Sequence, residues 1–139
     1  MTRPRTLLGF DYGHKRIGVA VGQTLTATAT PLTTVRVTAA EPDWESIGEL
    51  IETWQPDALV VGIPLNMDGT EQATTRAARE FGRELARRFR LPIYGADERL
   101  STIEARRRMV EAGRHALDED PVAAQIILEA WLQGRRAEP

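Results

Sequence analysis

The sequence has 139 residues, the length of one domain, and we expect a single domain over residues 1–139. Its 42% hydrophobic and 27% charged residues are typical of a globular protein, and 18 basic against 20 acidic residues (net −2) argue against a uniformly basic nucleic-acid-binding protein. The absence of cysteine excludes disulfides and thiol chemistry, and because no apolar run is long enough to span a bilayer or act as a signal peptide, we predict a cytoplasmic protein with no membrane contact.

The N-terminal part of the chain predicts three antiparallel strands. Residues 5–11 and 16–22 are short apolar runs separated by a turn, YGHK, in which Gly13 can adopt positive φ. Residues 27–37 alternate threonine with apolar residues and predict the third strand, where Pro31 indicates a sheet edge or a bulge.

The rest of the chain predicts alternating helices and strands. Apolar residues recur at helical spacing over 43–55, 70–90, 101–112 and 120–132, whereas 57–63 and 91–95 are short apolar runs typical of buried strands. Antiparallel strands followed by this alternation predict an α/β fold with a five-stranded mixed sheet, a three-strand meander plus two parallel strands, and helices on both faces.

Arginines line one face of the helix predicted over residues 70–90. They are Arg76, Arg79, Arg83 and Arg87. The face is either solvated, with Arg76 and Glu80 paired one turn apart, or it binds phosphate. The sequence leaves both interpretations open.

Three carboxylates are the best candidates for catalysis. Asp11 ends the first strand, Glu98 follows the strand predicted over 91–95, and Asp120 lies at the start of the last helix. Asp11 and Glu98 would lie near the carboxyl ends of parallel strands, where open α/β sheets bind ligands. Because converging carboxylates repel, we expect hard cations such as Mg²⁺ or Mn²⁺, and two such ions suit phosphodiester hydrolysis.

Each carboxylate also has a structural interpretation. Asp11 could form an Asx turn, Glu98 could be a loop charge beside Asp97, and Asp120 before Pro121 has the pattern of a helix N-cap. The two histidines, His14 and His115, are isolated in the sequence, which argues against a zinc site.

Four motifs occur in order along the chain: FDYGHKRIGVAVG, VVGIPLNMDGTEQ, ADERLSTIEAR and DEDPVAAQIILEAWL. Together they resemble the YqgF family of pre-16S rRNA nucleases, also described as Holliday junction resolvases. The resemblance implies a ribonuclease H-like fold of the RuvC type and maps the family's acidic positions onto Asp11, Glu98 and Asp120. It also implies a role in cytoplasmic ribosome biogenesis, at the 5′ end of 16S rRNA.

The resemblance leads to a hypothesis for the site. Asp11 would bridge two Mg²⁺ or Mn²⁺ ions, and Glu98 and Asp120 would complete their ligand shells. Four further residues are predicted to bind substrate: Lys15, Arg16, Asn66 and Arg99.

Several functional alternatives stay open from sequence alone. The substrate could be pre-rRNA, another single-stranded RNA or DNA, or branched DNA, the last requiring a homodimer rather than a monomer. The chain could instead be a non-catalytic factor that binds rRNA or ribosome-assembly factors. An ATP-binding module is a further alternative, although that fold places nucleotide between two such domains.

Overall fold

A hairpin forms the centre of the sheet. In the computed structural model, which describes residues 5–98 and 116–136, β1 (Thr6–Tyr12) pairs antiparallel with β2 (Arg16–Gln23). The next strand, β3 (Thr28–Thr38), pairs antiparallel with β2. The register shifts between Val19 and Ala20, and Pro31 lies opposite Ala20, so the bulge predicted at this proline is confirmed.

Two parallel strands extend the sheet on the other side of β1. These are β5 (Ala58–Ile63), which pairs with β1, and β6 (Ile93–Asp97), which pairs with β5. The strand predicted over 91–95 therefore lies two residues further along the chain. The carbonyl of Pro92 still accepts a hydrogen bond from Leu59, but the ladder between the two strands begins at Ile93.

The prediction of five strands is wrong by one, because the described sheet has six in the order β4-β3-β2-β1-β5-β6. The additional strand, β4, is only Glu41–Pro42 and pairs with the end of β3. Its turn consists of Ala39 and Ala40, both at positive φ (52° and 64°). The sequence gives no signal for this turn, since alanine is not a residue that favours the left-handed region.

Helices cover both faces of the sheet, as predicted. The first helix, α1, spans Trp44–Trp54 with Asp43 as its N-cap, and α2 spans Ala73–Phe89. The last helix, α3, spans Ala116–Arg136, so it begins four residues before Asp120 and contains Pro121. The interpretation of Asp120 as an N-cap is therefore wrong. The helix predicted over 101–112 lies outside the described residues.

Two apolar cores flank the sheet. The face that packs on α1 and α2 carries large side chains, and Phe81 of α2 contacts the rings of Phe10, Tyr12 and Trp44. The face under α3 is lined by alanines and glycines, which bring Leu128 of the helix close to the strands. The small residues therefore allow α3 to lie directly against the sheet. None of the helices described is long and apolar enough to cross a membrane.

Candidate metal-dependent nuclease site

Asp11 lies on the face of the sheet that α3 covers. In the hairpin it is directly opposite Gly18, and side chains of directly opposed residues lie on the same face. Its neighbours Phe10 and Leu8 belong to the other core, as the alternation of a strand requires. Asp11 is half-buried near the carboxyl end of β1.

Glu98 lies beside this strand end, in space left by a glycine. Its backbone N–H donates to the carbonyl of Ile63 at 3.2 Å, which fixes it at the carboxyl ends of β5 and β6. A Cβ placed on Gly62 would lie 2.9 Å from the carboxyl carbon of Glu98 and 2.9 Å from Ile127 Cδ1. The glycine therefore makes room for the carboxyl group between β5 and α3.

Asp11 and Glu98 form a close carboxyl pair. Four effects together raise the pKa of Glu98 from 4.5 to about 9: burial, which is the largest, then the charge of Asp11, a hydrogen bond to Asp11 and the charge of Asp97. At neutral pH Glu98 is thus protonated and shares its proton with Asp11. At this pH both carboxyl groups become charged only when a cation replaces that proton.

The backbone of Asp120, rather than its side chain, lies close to the hairpin that carries Asp11. A Cβ on Gly18 would lie 1.9 Å from the Asp120 carbonyl oxygen, so this turn of α3 rests on the hairpin opposite Asp11. Its carboxylate, however, pairs with Arg16, whose Nε donates to Asp120 Oδ2 at 2.7 Å. Within the described ranges, no three acidic or histidine side chains are grouped closely enough to hold a metal.

Comparisons with known proteins show the family of this chain. The family model described as "RuvX: Holliday junction resolvase" matches residues 5–134. The chain belongs to this family. A relative from Aeromonas salmonicida (strain A449), named "Putative pre-16S rRNA nuclease", is 53% identical over 133 residues, covering 93% of this chain and 95% of the relative. A relative of the same name from Coxiella burnetii (strain Dugway 5J108-111) is also 53% identical, covering 94% of each chain.

Solved structures support the fold of this RuvX-family chain. T. thermophilus RuvC in complex with a Holliday junction substrate has a TM-score of 0.58 at 19% identity, covering 95% of this chain and 96% of RuvC. Fowlpox virus resolvase in complex with Holliday junction DNA has a TM-score of 0.57 at 8% identity, covering 94% and 98%. The resemblance to the YqgF family and the predicted resolvase-like α/β fold are confirmed, and the chain is a nuclease of the RuvX family.

Of the residues predicted to bind the substrate of this RuvX-family nuclease, those that the structure describes lie in two separate loops and at one strand end. Lys15 is exposed in the turn between β1 and β2, and Arg16 is exposed at the start of β2. Asn66 lies in the loop after β5, where its Nδ2 donates to Thr70 Oγ1 at 2.9 Å. Arg99 lies outside the described residues.

The arginines of α2 are largely neutralised by glutamates. Ion pairs within the helix are Arg83–Glu80, Arg87–Glu84 and Arg88–Glu84, and Arg79 pairs with Glu71 in the preceding loop. The predicted pairing of Arg76 with Glu80 is wrong, because Glu80 pairs with Arg83. This exchange of partners follows from helix geometry, in which positions three and four apart are both neighbours.

Sequence reasoning missed a buried threonine that fixes the loop next to the site. The Thr75 hydroxyl donates to the carbonyl of Pro64 and accepts from the N–H of Gln72 at 2.9 Å. It thereby ties both ends of the loop that carries Asn66 to the start of α2. The one available signal was threonine near a helix start, where hydroxyls commonly bond to backbone groups.

Thr75→Val is therefore expected to lower the free energy of unfolding by about 1–2 kcal/mol, because two backbone groups lose their partner. Urea unfolding of both proteins measures this difference. Thr74→Val, one residue earlier and less buried, is the matched control and should change stability less. An equal cost for both variants would contradict the role given to Thr75.

The raised pKa of Glu98 predicts a pH dependence of stability. Without divalent cations, the folded state keeps a proton on Glu98 between pH 4.5 and about 9, whereas the unfolded state does not. The stability that this group contributes, measured as the free energy of unfolding, is therefore full below pH 4.5 and is lost as the pH rises to about 9. Urea unfolding in EDTA should show lower stability at pH 8.5 than at pH 6. The decrease should be smaller in Glu98→Gln, and an identical decrease would contradict the shared proton.

Proposed function

We propose that this nuclease hydrolyses phosphodiester bonds with bound divalent cations and acts in maturation of the 5′ end of pre-16S rRNA, in the cytoplasm. The observation that supports the chemistry best is the Asp11–Glu98 pair at the carboxyl edge of the sheet, where the pKa of Glu98 is raised to about 9. The RNA substrate is supported by the names of the relatives from Aeromonas salmonicida and Coxiella burnetii, which are 53% identical to this chain.

The donor set suits Mg²⁺ or Mn²⁺. Asp11, Glu98 and Asp120 offer hard carboxylate oxygens, and the crowding of Asp11 against Glu98 is relieved when a cation displaces the shared proton. When bound, two such ions would supply an activated water and stabilise the leaving oxygen. Asp11 would hold the cations together with both other carboxylates, because β1 lies between β2, whose Gly18 contacts Asp120, and the strands β5 and β6, which end beside Glu98.

Other residues of the chain are assigned to substrate binding. Lys15 and Arg16 are exposed in the turn after β1 and at the start of β2, and they would orient the phosphates that flank the scissile bond. Arg99, which follows Glu98 in sequence, is proposed for the same role, and Asn66 would contact the nucleic acid from the loop after β5. Gly62 of β5 and Ile127 of α3 lie against the carboxyl group of Glu98 and shield it from solvent.

The experiment compares two substrates at equal concentration. A pre-16S RNA fragment with its 5′ leader and a four-way DNA junction are incubated with the protein and Mn²⁺ or Mg²⁺. We expect metal-dependent cleavage of the RNA at the mature 5′ end and none in EDTA. Symmetric cleavage of the junction by a homodimer, with the RNA left intact, would favour the resolvase alternative. RNA binding without turnover of either substrate would favour a non-catalytic assembly factor.

A further inference from the structure

The ion pair between Arg16 and Asp120 determines where the third carboxylate of the site lies. The two residues are 104 positions apart in sequence, and Arg16 Nε lies 2.7 Å from Asp120 Oδ2. The Arg16 side chain is 45% exposed and that of Asp120 only 20%. The guanidinium is thus accessible to a ligand from solution, whereas the carboxylate faces the protein.

The backbone of Asp120 is already in place for the site. The carbonyl group of Asp120 rests on Gly18, and Gly18 lies directly opposite Asp11 in the hairpin. Because directly opposed residues of paired strands are close together, the backbone of Asp120 lies near the backbone of Asp11. The Asp120 carboxylate is directed toward Arg16, and among the described side chains it is not grouped with the Asp11–Glu98 pair.

We propose that Arg16 is a positioning residue that restrains Asp120 until a phosphate of the nucleic acid takes over the guanidinium, so that substrate binding completes the cation site. This inference rests on the proposed nuclease function. A guanidinium forms two parallel hydrogen bonds with a phosphate, which makes phosphate a strong competitor for Arg16. The freed Asp120 carboxylate then joins Asp11 and Glu98, where a cation offsets the repulsion among the three groups.

The proposal requires that cation and nucleic acid bind cooperatively. Each ligand must raise the affinity for the other by the same factor, because coupling between binding sites is reciprocal. Cooperativity of this kind would limit hydrolysis to occasions when a phosphate is seated at the site. It would also explain why the side chains described here form a carboxyl pair rather than a triad.

The chain supplies a matched control for Arg16. Arg36 lies directly opposite Arg16 in the pairing of β2 with β3 and is exposed, so its replacement removes the same charge from the same region. No ion pair joins Arg36 to Asp120 among the described side chains, and its effect on cation affinity therefore reports general electrostatics alone.

The test is a calorimetric titration of Mn²⁺ into wild type, Arg16→Gln and Arg36→Gln, each with and without a ten-nucleotide single-stranded RNA. The titrations are carried out at low temperature so that little RNA is cleaved, and the integrity of the RNA is checked on a gel after each titration. For wild type we expect the RNA to tighten Mn²⁺ binding about tenfold, within the usual range of coupling between sites. Arg16→Gln should bind Mn²⁺ without RNA about as tightly as wild type does with RNA, whereas Arg36→Gln should differ from wild type only by the small electrostatic effect of losing one exposed charge.

Two further results decide the inference. Adding Asp120→Asn to Arg16→Gln should abolish the gain in affinity, which shows that the gain acts through Asp120. If Arg16→Gln binds Mn²⁺ no more tightly than Arg36→Gln, the restraint by Arg16 is refuted while the nuclease function stands. If Asp11→Asn binds Mn²⁺ as tightly as wild type, the proposed function itself fails, because Asp11 is then not a ligand.

Discussion

Asp11→Asn is expected to reduce metal-dependent cleavage on the order of 10³-fold or more, the size of loss seen when a member of a cooperating catalytic set is removed. The substitution keeps the shape of the side chain but removes the charge that would bridge the cations. It also removes the partner that shares a proton with Glu98, so the pKa of Glu98 should fall toward its ordinary value. Cleavage rates at saturating Mn²⁺ measure the effect.

The control for Asp11→Asn is Glu49→Gln, which makes the same carboxylate-to-amide change on an exposed position of α1, on the opposite face of the sheet. It should leave the cleavage rate within a factor of two of wild type, since surface changes far from a site have small effects. Equal rates for Asp11→Asn and Glu49→Gln would remove Asp11 from the mechanism.

Gly18→Ala is expected to be the most destabilising single-methyl change at the site, with a cost of about 3 kcal/mol. The added Cβ would lie 1.9 Å from the carbonyl oxygen of Asp120 and 2.3 Å from its carbonyl carbon. Because these are backbone atoms on a packed helix, no rotamer change can relieve the clash. The beginning of α3 must shift away from β2, and Asp120 moves with it. Cleavage activity should therefore fall together with stability.

Gly134→Ala is the matched control for this substitution, because a Cβ on Gly134 meets no atom within 4 Å. Alanine is favoured over glycine within a helix, so this variant should be slightly more stable than wild type. Urea unfolding should thus give changes of opposite sign for the two variants. A loss at Gly18→Ala no larger than about 0.5 kcal/mol would contradict the close approach of α3 to the hairpin.

Local patterns in the sequence predicted most of the fold. The hairpin, the parallel strands and α2 carry periodicities that determine the face each residue occupies, and burial of that face follows from the hydrophobic effect. The patterns failed where backbone geometry overrode composition. Ala39 and Ala40 form a tight turn without glycine or asparagine, and Pro121 lies within α3 rather than at its first turn.

The candidate site was predictable only in part. Strand order placed Asp11 and Glu98 at the same sheet edge, and the structure brings these two together. The pairing of Arg16 with Asp120 was not predictable, because residues 104 positions apart meet only through the packing of α3 on Gly18. Likewise, Thr75 carries no charge and no motif, so its two hydrogen bonds emerge only from the folded loop.

Asp11 and Glu98 share a proton that a catalytic cation would replace. Calorimetric titration of Mn²⁺ at pH 7, repeated in two buffers of different ionisation enthalpy, measures the protons released on binding. With the pKa of Glu98 near 9, we expect about one proton released per protein, and close to none in Glu98→Gln. Saturable binding that releases no proton in wild type would contradict the replacement of this shared proton by a cation.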